Sequence, residues 1–558
     1  MSAADGSADD PEVLLREWSR RVEQGADEAS ISGLDAAVQM HPSHAGLWTL
    51  RGDALRLLRR FDAAVDSYGR AIELDPGQFH GWYGLGGALL ARGANGAARD
   101  ALVRALVLDP GAQGARCLLA EALFELGETD AAVAAYREAA DVGGPDVRRV
   151  ALRNLALAIP MAPGADHARV LATRREWARS ELGEARPRAS HARSGGRIRV
   201  GYLSAFFGAR NWMKPVYGVV NCHDRSRFEV HLISDGEDPS AAAGYDDHPD
   251  DRVWQVRGAS NETLARHVAA AGIDVLVDLN GYSFPDRLGL FPLRAAPRQL
   301  GWFNMFATTA VPGFDALIGD HESVAPEEEP FYDERVLRVP GTYLAFRVRY
   351  PTPPVAAAPW GTRGHPTLGC LCSAYKLTPP TLDAWAGVLR DVPEARLVLR
   401  NATLDEESNR AALLSRLAWR GVDPARVDVR GRAEHFEFLR TYDDVDVALD
   451  TFPYNGGTTT TEAVWQGVPV LTCDGDRWAG RTSRSILRAA GLGGWVAADR
   501  SAFVAEGVRL LRDPATPGRL AELRSGMRAR LVASPACDTA GLCAALEAIY
   551  AGEPAPTG

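Results

Sequence analysis

From residue 446 to 483 the chain reads DVALDTFPYNGGTTTTEAVWQGVPVLTCDGDRWAGRTS. Residue types in this order suit the holding of an anion. An apolar strand-like run ends at Asp450, Pro453 and the Asn455-Gly456-Gly457 turn redirect the backbone, and four threonines then open a helical segment. A helix N-terminus presents unpaired N–H groups and partial positive charge. Hydroxyls of Thr458, Thr459 and Thr460 can donate to phosphate oxygens, and the glycines let a diphosphate approach the backbone. A threonine-capped helix without a ligand is the plainer alternative; four threonines in succession after Asn-Gly-Gly favour the anion site. A second signal is compositional. Of 62 basic residues only two are lysines, Lys214 and Lys376. A lysine that persists among arginines suggests a compact ammonium that Arg's planar fork cannot replace, with chance survival at two surface positions as the alternative.

The elements that must position these groups alternate. RIRVGYLSA (197–205), FEVHLIS (228–234) and DVLVDLNG (274–281) read as buried strands, with a capped amphipathic helix at ASNETLARHVAAAGI (259–273). A second series has strands at TLGCLCS (367–373), RLVLRN (396–401), VDVRG (427–431), VDVALD (445–450) and VPVLTC (468–473). Its helices are LTPPTLDAWAGVLR (377–390), TTTTEAVWQG (458–467) and GRTSRSILRAAG (480–491). Such alternation implies parallel sheets covered on both faces. The Pro-rich stretch 346–366 splits the two series, so two Rossmann-like halves are expected, 197–350 and 351–558. Ligands in such folds bind beyond the carboxyl ends of strands, which puts the chemistry in the cleft between the halves.

Upstream lies a repeat. Pro42, Pro76 and Pro110 are 34 residues apart, as are Ala54, Ala88 and Ala122, and Ala71, Ala105 and Ala139. Trp48 and Trp82 share a register, and Tyr68, Leu102 and Tyr136 fill a further bulky slot. Small residues let paired helices approach, large ones fill between them, and proline follows a helix it cannot continue. Three repeats span about 42 to 144, with a partial helix before and a helical cap to about 180, giving a helical domain over 1–182 and a linker over 183–196. A concave groove of this kind takes an extended peptide or partner protein; a scaffold that only packs on the rest of the chain is the alternative.

Length and composition bound the rest. A chain of 558 residues implies roughly three or four domains, and 46% hydrophobic with 24% charged residues excludes wholesale disorder. A net charge of -10 argues against a nucleic-acid surface. No apolar run is long enough to span a bilayer, and the acidic N-terminus lacks a signal pattern, so a cytoplasmic protein is expected. The seven scattered cysteines, Cys370 and Cys372 included, read as buried thiols.

The repeats together with DTFPYNGGTTTTEAVWQGVPV, SAYKLTPPTLDAW (373–385), RVGYLS (199–204), VDLNGY (277–282) and RAAPRQLGW (294–302) resemble the O-linked N-acetylglucosamine transferase/SPINDLY group, glycosyltransferase family 41. The resemblance covers about 40 to 550. It implies a tetratricopeptide superhelix followed by a GT-B type double Rossmann-like region. It further implies a nucleotide-sugar donor, UDP-linked by family usage, on the side of 351–558, an inverting, metal-independent transfer with no cofactor, and a Ser or Thr of a polypeptide as acceptor on the side of 197–350. By resemblance Lys376 contacts the donor diphosphate, Thr458 and Thr459 bind phosphate, and Glu462 stands where animal members place an aspartate on the ribose. Ser373 replaces a nucleotide-contacting glutamine and Gly457 a histidine. Tyr375, Asn455, Gly456 and Thr460 complete the donor-side candidates, with His435 and Arg440 near the family's basic residues.

The chain departs from the family on the other side. The family histidine after the first strand falls at Arg210 or Asn211, and arginine is no base near neutral pH. The relay aspartate falls at Gln255, and WFNMFATTAVPG (302–313) replaces a glycine-rich loop. Acceptor-side candidates are Arg210, Asn211, Asn280, Tyr282 and Asn304. Lys214 lies in the rebuilt loop as a contact to the donor or an acidic sugar, or as a base when desolvated. Two further readings stand beside this one: the diphosphate itself takes the proton, or the chain is a degenerate nucleotide-sugar-binding adaptor. Trp212, Trp302, Phe303 and Phe306 could stack on a ligand or pack the interface, and Asp476, Arg477 and Arg481 could line the nucleotide pocket.

Overall fold

The structure is a computed structural model that describes residues 10–187, 196–209, 211–242 and 244–553. Two compact units result, 1–151 with 403–415, and 152–402 with 416–558.

In the first unit the 34-residue period becomes three helix pairs: Ala45–Leu57 with Phe61–Leu74, Phe79–Arg92 with Asn95–Leu108, and Gln113–Glu125 with Thr129–Val142. The period has a packing cause. A Cβ on Gly52 would lie 2.7 Å from the Tyr68 ring, and one on Gly86 2.5 Å from Leu102, so each glycine admits the bulky residue sixteen positions on. The tryptophan slot also has a role, because Trp48 Nε1 donates to Pro42 O and Trp82 Nε1 to Pro76 O, each at 3.0 Å. Arg116 takes that slot in the third repeat and donates to Pro110 O at 2.7 Å. Two helices precede the repeats, Pro11–Gln24 and Glu28–Met40, where one partial helix was expected. Residues 403–415 belong to this unit: Gly96 N donates to Asn409 Oδ1 and Asn409 Nδ2 to Gly93 O.

In the second unit the first sheet comprises β1 (Ile198–Ser204), β2 (Phe228–Ser234), β3 (Arg252–Gln255), β4 (Val275–Asp278), β5 (Arg298–Gly301), β6 (Ala316–Asp320) and β7 (Arg335–Val339). The second comprises β8 (Thr367–Cys370), β9 (Arg396–Arg400), β10 (Val427–Arg430), β11 (Val447–Leu449), β12 (Val470–Cys473) and β13 (Val496–Ala497). Strand orders are 3-2-1-4-5-6-7 and 10-9-8-11-12-13, with parallel pairing throughout. Each order reverses direction at one place, between β1 and β4 and between β8 and β11. Such switch points leave a crevice beyond the strands' carboxyl ends.

Two boundaries differ from expectation. The helix His167–Glu181 packs with the second unit rather than closing the repeats: Arg174 Nη1 donates to Thr308 O at 2.6 Å and Trp177 meets the Tyr282 ring edge-on. The C-terminal helix Thr539–Ala551 lies on the first sheet, where Arg298 donates to Ile549 O and Tyr550 reaches Tyr202. Of the expected linker, residues 188–195 lie outside those described.

Candidate active site in the cleft between the sheets

The chain leaving β8 runs through Cys372 to Lys376, and the chain leaving β11 runs through Asp450 to the Thr458–Trp465 helix. The β8/β11 switch point thus brings the two signals of the sequence together. Lys376 Nζ donates to Asn455 O at 2.8 Å and sits 3.9 Å above the Tyr454 ring. Cys372 Sγ is 3.2 Å from Thr459 Oγ1. Burial opposes the Lys376 charge, but Tyr454, Tyr375, Cys372 and Asp450 outweigh it and raise the pKa, so the ammonium persists. The Cys372 thiol is held down to about 7 by a hydrogen bond with Cys370 and, against burial, by Lys376.

Asp450 shapes the turn between them. Its Oδ1 accepts from Gly456 N at 2.8 Å and Thr451 N at 2.9 Å, and its Oδ2 accepts from Thr472 Oγ1 at 2.7 Å. Trp385 Nε1 donates to Asp450 O, and Thr381 Oγ1 to Phe452 O, so the Pro379–Asp391 helix braces the loop. Gly457 precedes the Thr458–Trp465 helix and supplies no side-chain cap. Its first-turn amides are therefore open to an anion.

A cavity of about 680 Å³ lies here. From the C-terminal half it is lined by Lys376, Ser373, Tyr375, His435, Asn455 and Gly457, and by Thr458, Thr459 and Glu462. From the other half come Lys214, Asn211, Asn304, Trp212, Phe303 and Phe306. The two lysines of the chain thus face one cavity from opposite halves. Lys214 begins the Lys214–Val220 helix and its Nζ donates to Asn211 O at 2.7 Å. Burial lowers its pKa to about 8, partly opposed by Glu462. Burial also raises the Glu462 pKa, opposed by Lys214 and by a hydrogen bond from Asn211. His435 Nε2 lies 3.6 Å from Glu462 Oε1.

Other candidates lie elsewhere. Arg440 is five residues beyond His435 in a short helix and points the other way, exposed beside Glu437 and Asp443. Thr460 is two residues from Thr458, across the helix, and bonds Ser483 Oγ at 2.7 Å. Gly456 is buried under the loop, its amide spent on Asp450. Asn280 is buried, its Oδ1 accepting from Ala205 N. Tyr282 donates to Thr309 O beneath the Arg174 guanidinium, so both face the interior. Trp302 is buried with Nε1 on Tyr343 O. Gln255 is exposed on edge strand β3. Asp476 and Arg477 border a smaller, separate cavity, and Arg481 pairs with Glu328. Arg210 lies outside the described residues. Sequence reasoning passed over Tyr454, which lines the cavity between Phe306 and Tyr375, and the anchoring role of Asp450. The DTFPYN segment (450–455) beside the anion turn was the available signal for both.

The profile of glycosyl transferase family 41 matches residues 184–347 and 369–546. The chain belongs to glycosyltransferase family 41. The tetratricopeptide repeat profile matches 28–79, 58–115 and 83–147. A Thermobaculum terrenum O-GlcNAc transferase mutant superimposes with a TM-score of 0.76 at 28% identity, covering 99% of this chain and 98% of that one. The expected tetratricopeptide and GT-B architecture is therefore the observed one. Among curated relatives, the probable UDP-N-acetylglucosamine–peptide N-acetylglucosaminyltransferase SPINDLY of Petunia hybrida is 31% identical over 300 residues, covering 53% of this chain and 32% of that protein. The SEC protein of Arabidopsis thaliana, named for the same activity, is 28% identical over 376 residues, covering 64% and 37%. The chain spans about a third of the length of these relatives. Among the described residues no helix is long and apolar enough to cross a membrane.

Proposed function

We propose that the chain transfers a sugar from a nucleotide-sugar donor, UDP-linked, to a Ser or Thr hydroxyl of a polypeptide, with inversion. The observation that carries this is one cavity lined by the Lys376 ammonium and the amides and hydroxyls of Thr458 and Thr459. As the bond from the anomeric carbon to the diphosphate oxygen breaks, negative charge grows on the leaving group. Fixed donors aimed at that charge lower the barrier, and here they do so without calling on a metal. The acceptor oxygen attacks from the opposite face. Glu462 accepts from the ribose hydroxyls, and the tetratricopeptide groove holds the acceptor protein.

Lys214 is assigned to the donor because it lines the same cavity as Glu462 from the opposite half. Its lowered pKa favours a second reading, in which the free amine takes the acceptor's proton. The pH profile of kcat/KM separates the two. A donor-contacting ammonium predicts a decline above about pH 8, whereas a base predicts a rise to a plateau there. Labelled nucleotide sugars incubated with the chain and a cell extract test the proposal as a whole. Incorporation into protein, abolished in Lys376→Met, supports it; donor binding without any transfer points to the adaptor reading instead.

A further inference from the structure

Away from the cleft, three potential metal ligands converge beneath the C-terminal helix. His223 lies between the Lys214–Val220 helix and β2, and Cys543 and Glu547 lie one turn apart on Thr539–Ala551. Their ligand atoms lie within 4.8 Å of one another and all three residues are buried. His223 Nδ1 is 2.9 Å from Glu547 Oε1 and 3.5 Å from Cys543 Sγ, and that sulfur is 3.8 Å from Glu547 Oε1. Tetrahedral zinc, with bonds of about 2.0 Å to nitrogen or oxygen and about 2.3 Å to sulfur, spaces its ligand atoms roughly 3.3–3.5 Å apart. The three atoms bracket those separations.

Donor directions add a second argument. Tyr202 OH lies 2.7 Å from His223 Nε2 and donates to Tyr550 OH at 3.2 Å. Without a metal, Nδ1 lies at hydrogen-bond distance from Glu547 Oε1, which also accepts from Asp224 N at 2.8 Å. A cation would take the place of the proton between them, and the Nε2 proton would then face the Tyr202 oxygen. A histidine held through its far nitrogen is also the usual outer-shell arrangement around a ligating imidazole.

We propose that His223, Cys543 and Glu547 bind one zinc-class divalent cation. Mixed thiolate, imidazole and carboxylate donors suit zinc better than magnesium or calcium. Cys222 is exposed, adjacent to His223, with Sγ 3.8 Å from Thr539 Oγ1 at the start of the same helix. It lies outside the three-residue cluster, so the fourth position falls to water, and its exposure marks a route of entry. None of these residues lines the 680 Å³ cavity, so the ion is structural. It clasps the last helix of the chain to the first sheet. On binding, the Cys543 thiol loses its proton to solvent and no redox change occurs.

The full chain, stripped with a chelator and freed of it, is titrated with zinc and with cobalt(II). One equivalent should bind, and cobalt should give thiolate charge-transfer absorption. Cys543→Ser should remove that absorption and weaken zinc at least tenfold. Tyr202→Phe, which leaves every ligand in place, should weaken zinc about tenfold through the outer shell. Cobalt binding without the thiolate band, or wild-type zinc affinity in Tyr202→Phe, overturns the site. Should Cys543→Ser fail to fold, the wild-type cobalt spectrum and Tyr202→Phe still decide.

Discussion

Lys214 offers a test of the cross-cleft cluster through stability alone. Its side chain is buried, and burial lowers its pKa from 10.5 to about 8 against the pull of Glu462. Between those values the unfolded chain holds a proton that the folded chain has released. Unfolding free energy therefore rises with pH across that window. The difference is worth about 3 kcal/mol, and below pH 8 the folded chain bears all of it as the cost of a buried charge. Lys214→Met keeps the stem and abolishes the titration. Urea unfolding of both proteins at stepped pH should show the wild type gaining about 3 kcal/mol over the variant from pH 8 to 10.5. Glu462 contributes in the opposite sense. Its pKa is raised by burial, so the stability tied to its neutral form is lost as pH rises through its folded value, and Lys214→Met raises that value further. Parallel curves for the two proteins between pH 8 and 10.5 would refute the argument.

Gly456→Ala should weaken donor binding at least tenfold, because its Cβ would fall 2.4 Å from Thr460 Oγ1 and 2.8 Å from Thr459 Oγ1; equilibrium dialysis with labelled nucleotide sugar reads the loss, and unchanged affinity counts against the loop's role. Asp450→Ala leaves the Gly456 and Thr451 amides and the Thr472 hydroxyl without their acceptor, at about 1–3 kcal/mol for each group left unpaired. A lower melting temperature together with a raised donor KM is expected, and either one alone is not. Gly96→Ala would press a Cβ to 2.5 Å from Ser408 O, an overpacking that costs typically 1–3 kcal/mol. Hydrogen exchange should then accelerate in residues 403–415, and unaltered protection there contradicts the packing argument.

How much of this was legible in advance varies with physical cause. The repeats declared themselves because one packing problem, a small residue (Gly52, Gly86, Ala120) sixteen positions before a bulky one (Tyr68, Leu102, Tyr136), recurs every 34 residues. Strands β1, β2, β4, β8, β9, β11 and β12 are largely buried apolar runs and were located from that pattern, and the part-exposed edge strand β10 was located from VDVRG (427–431). Strands β3, β5, β6, β7 and β13 were not. β3 and β13 lie at sheet edges and are partly exposed, and β5 to β7 are four or five residues long, set among irregular 3-10 turns such as Pro285–Leu293. At the site, Thr458, Thr459 and Lys376 were readable by type. Thr460 and Arg440 were misplaced because a helix turns by 100° per residue, so neighbours in sequence face apart. The interior orientation of Asn280 and Tyr282 depends on Ala205 N and Thr309 O, which reach them only through tertiary packing.

Calorimetric titration of UDP into the wild-type chain and into Lys376→Met tests the central claim most directly. The account predicts one site in the wild type and affinity at least tenfold weaker in the variant, since a charge-assisted contact is worth about 1.5–3 kcal/mol. A wild-type chain with no affinity for the nucleotide, or a variant that binds it equally well, would contradict the assignment of the cleft to a diphosphate.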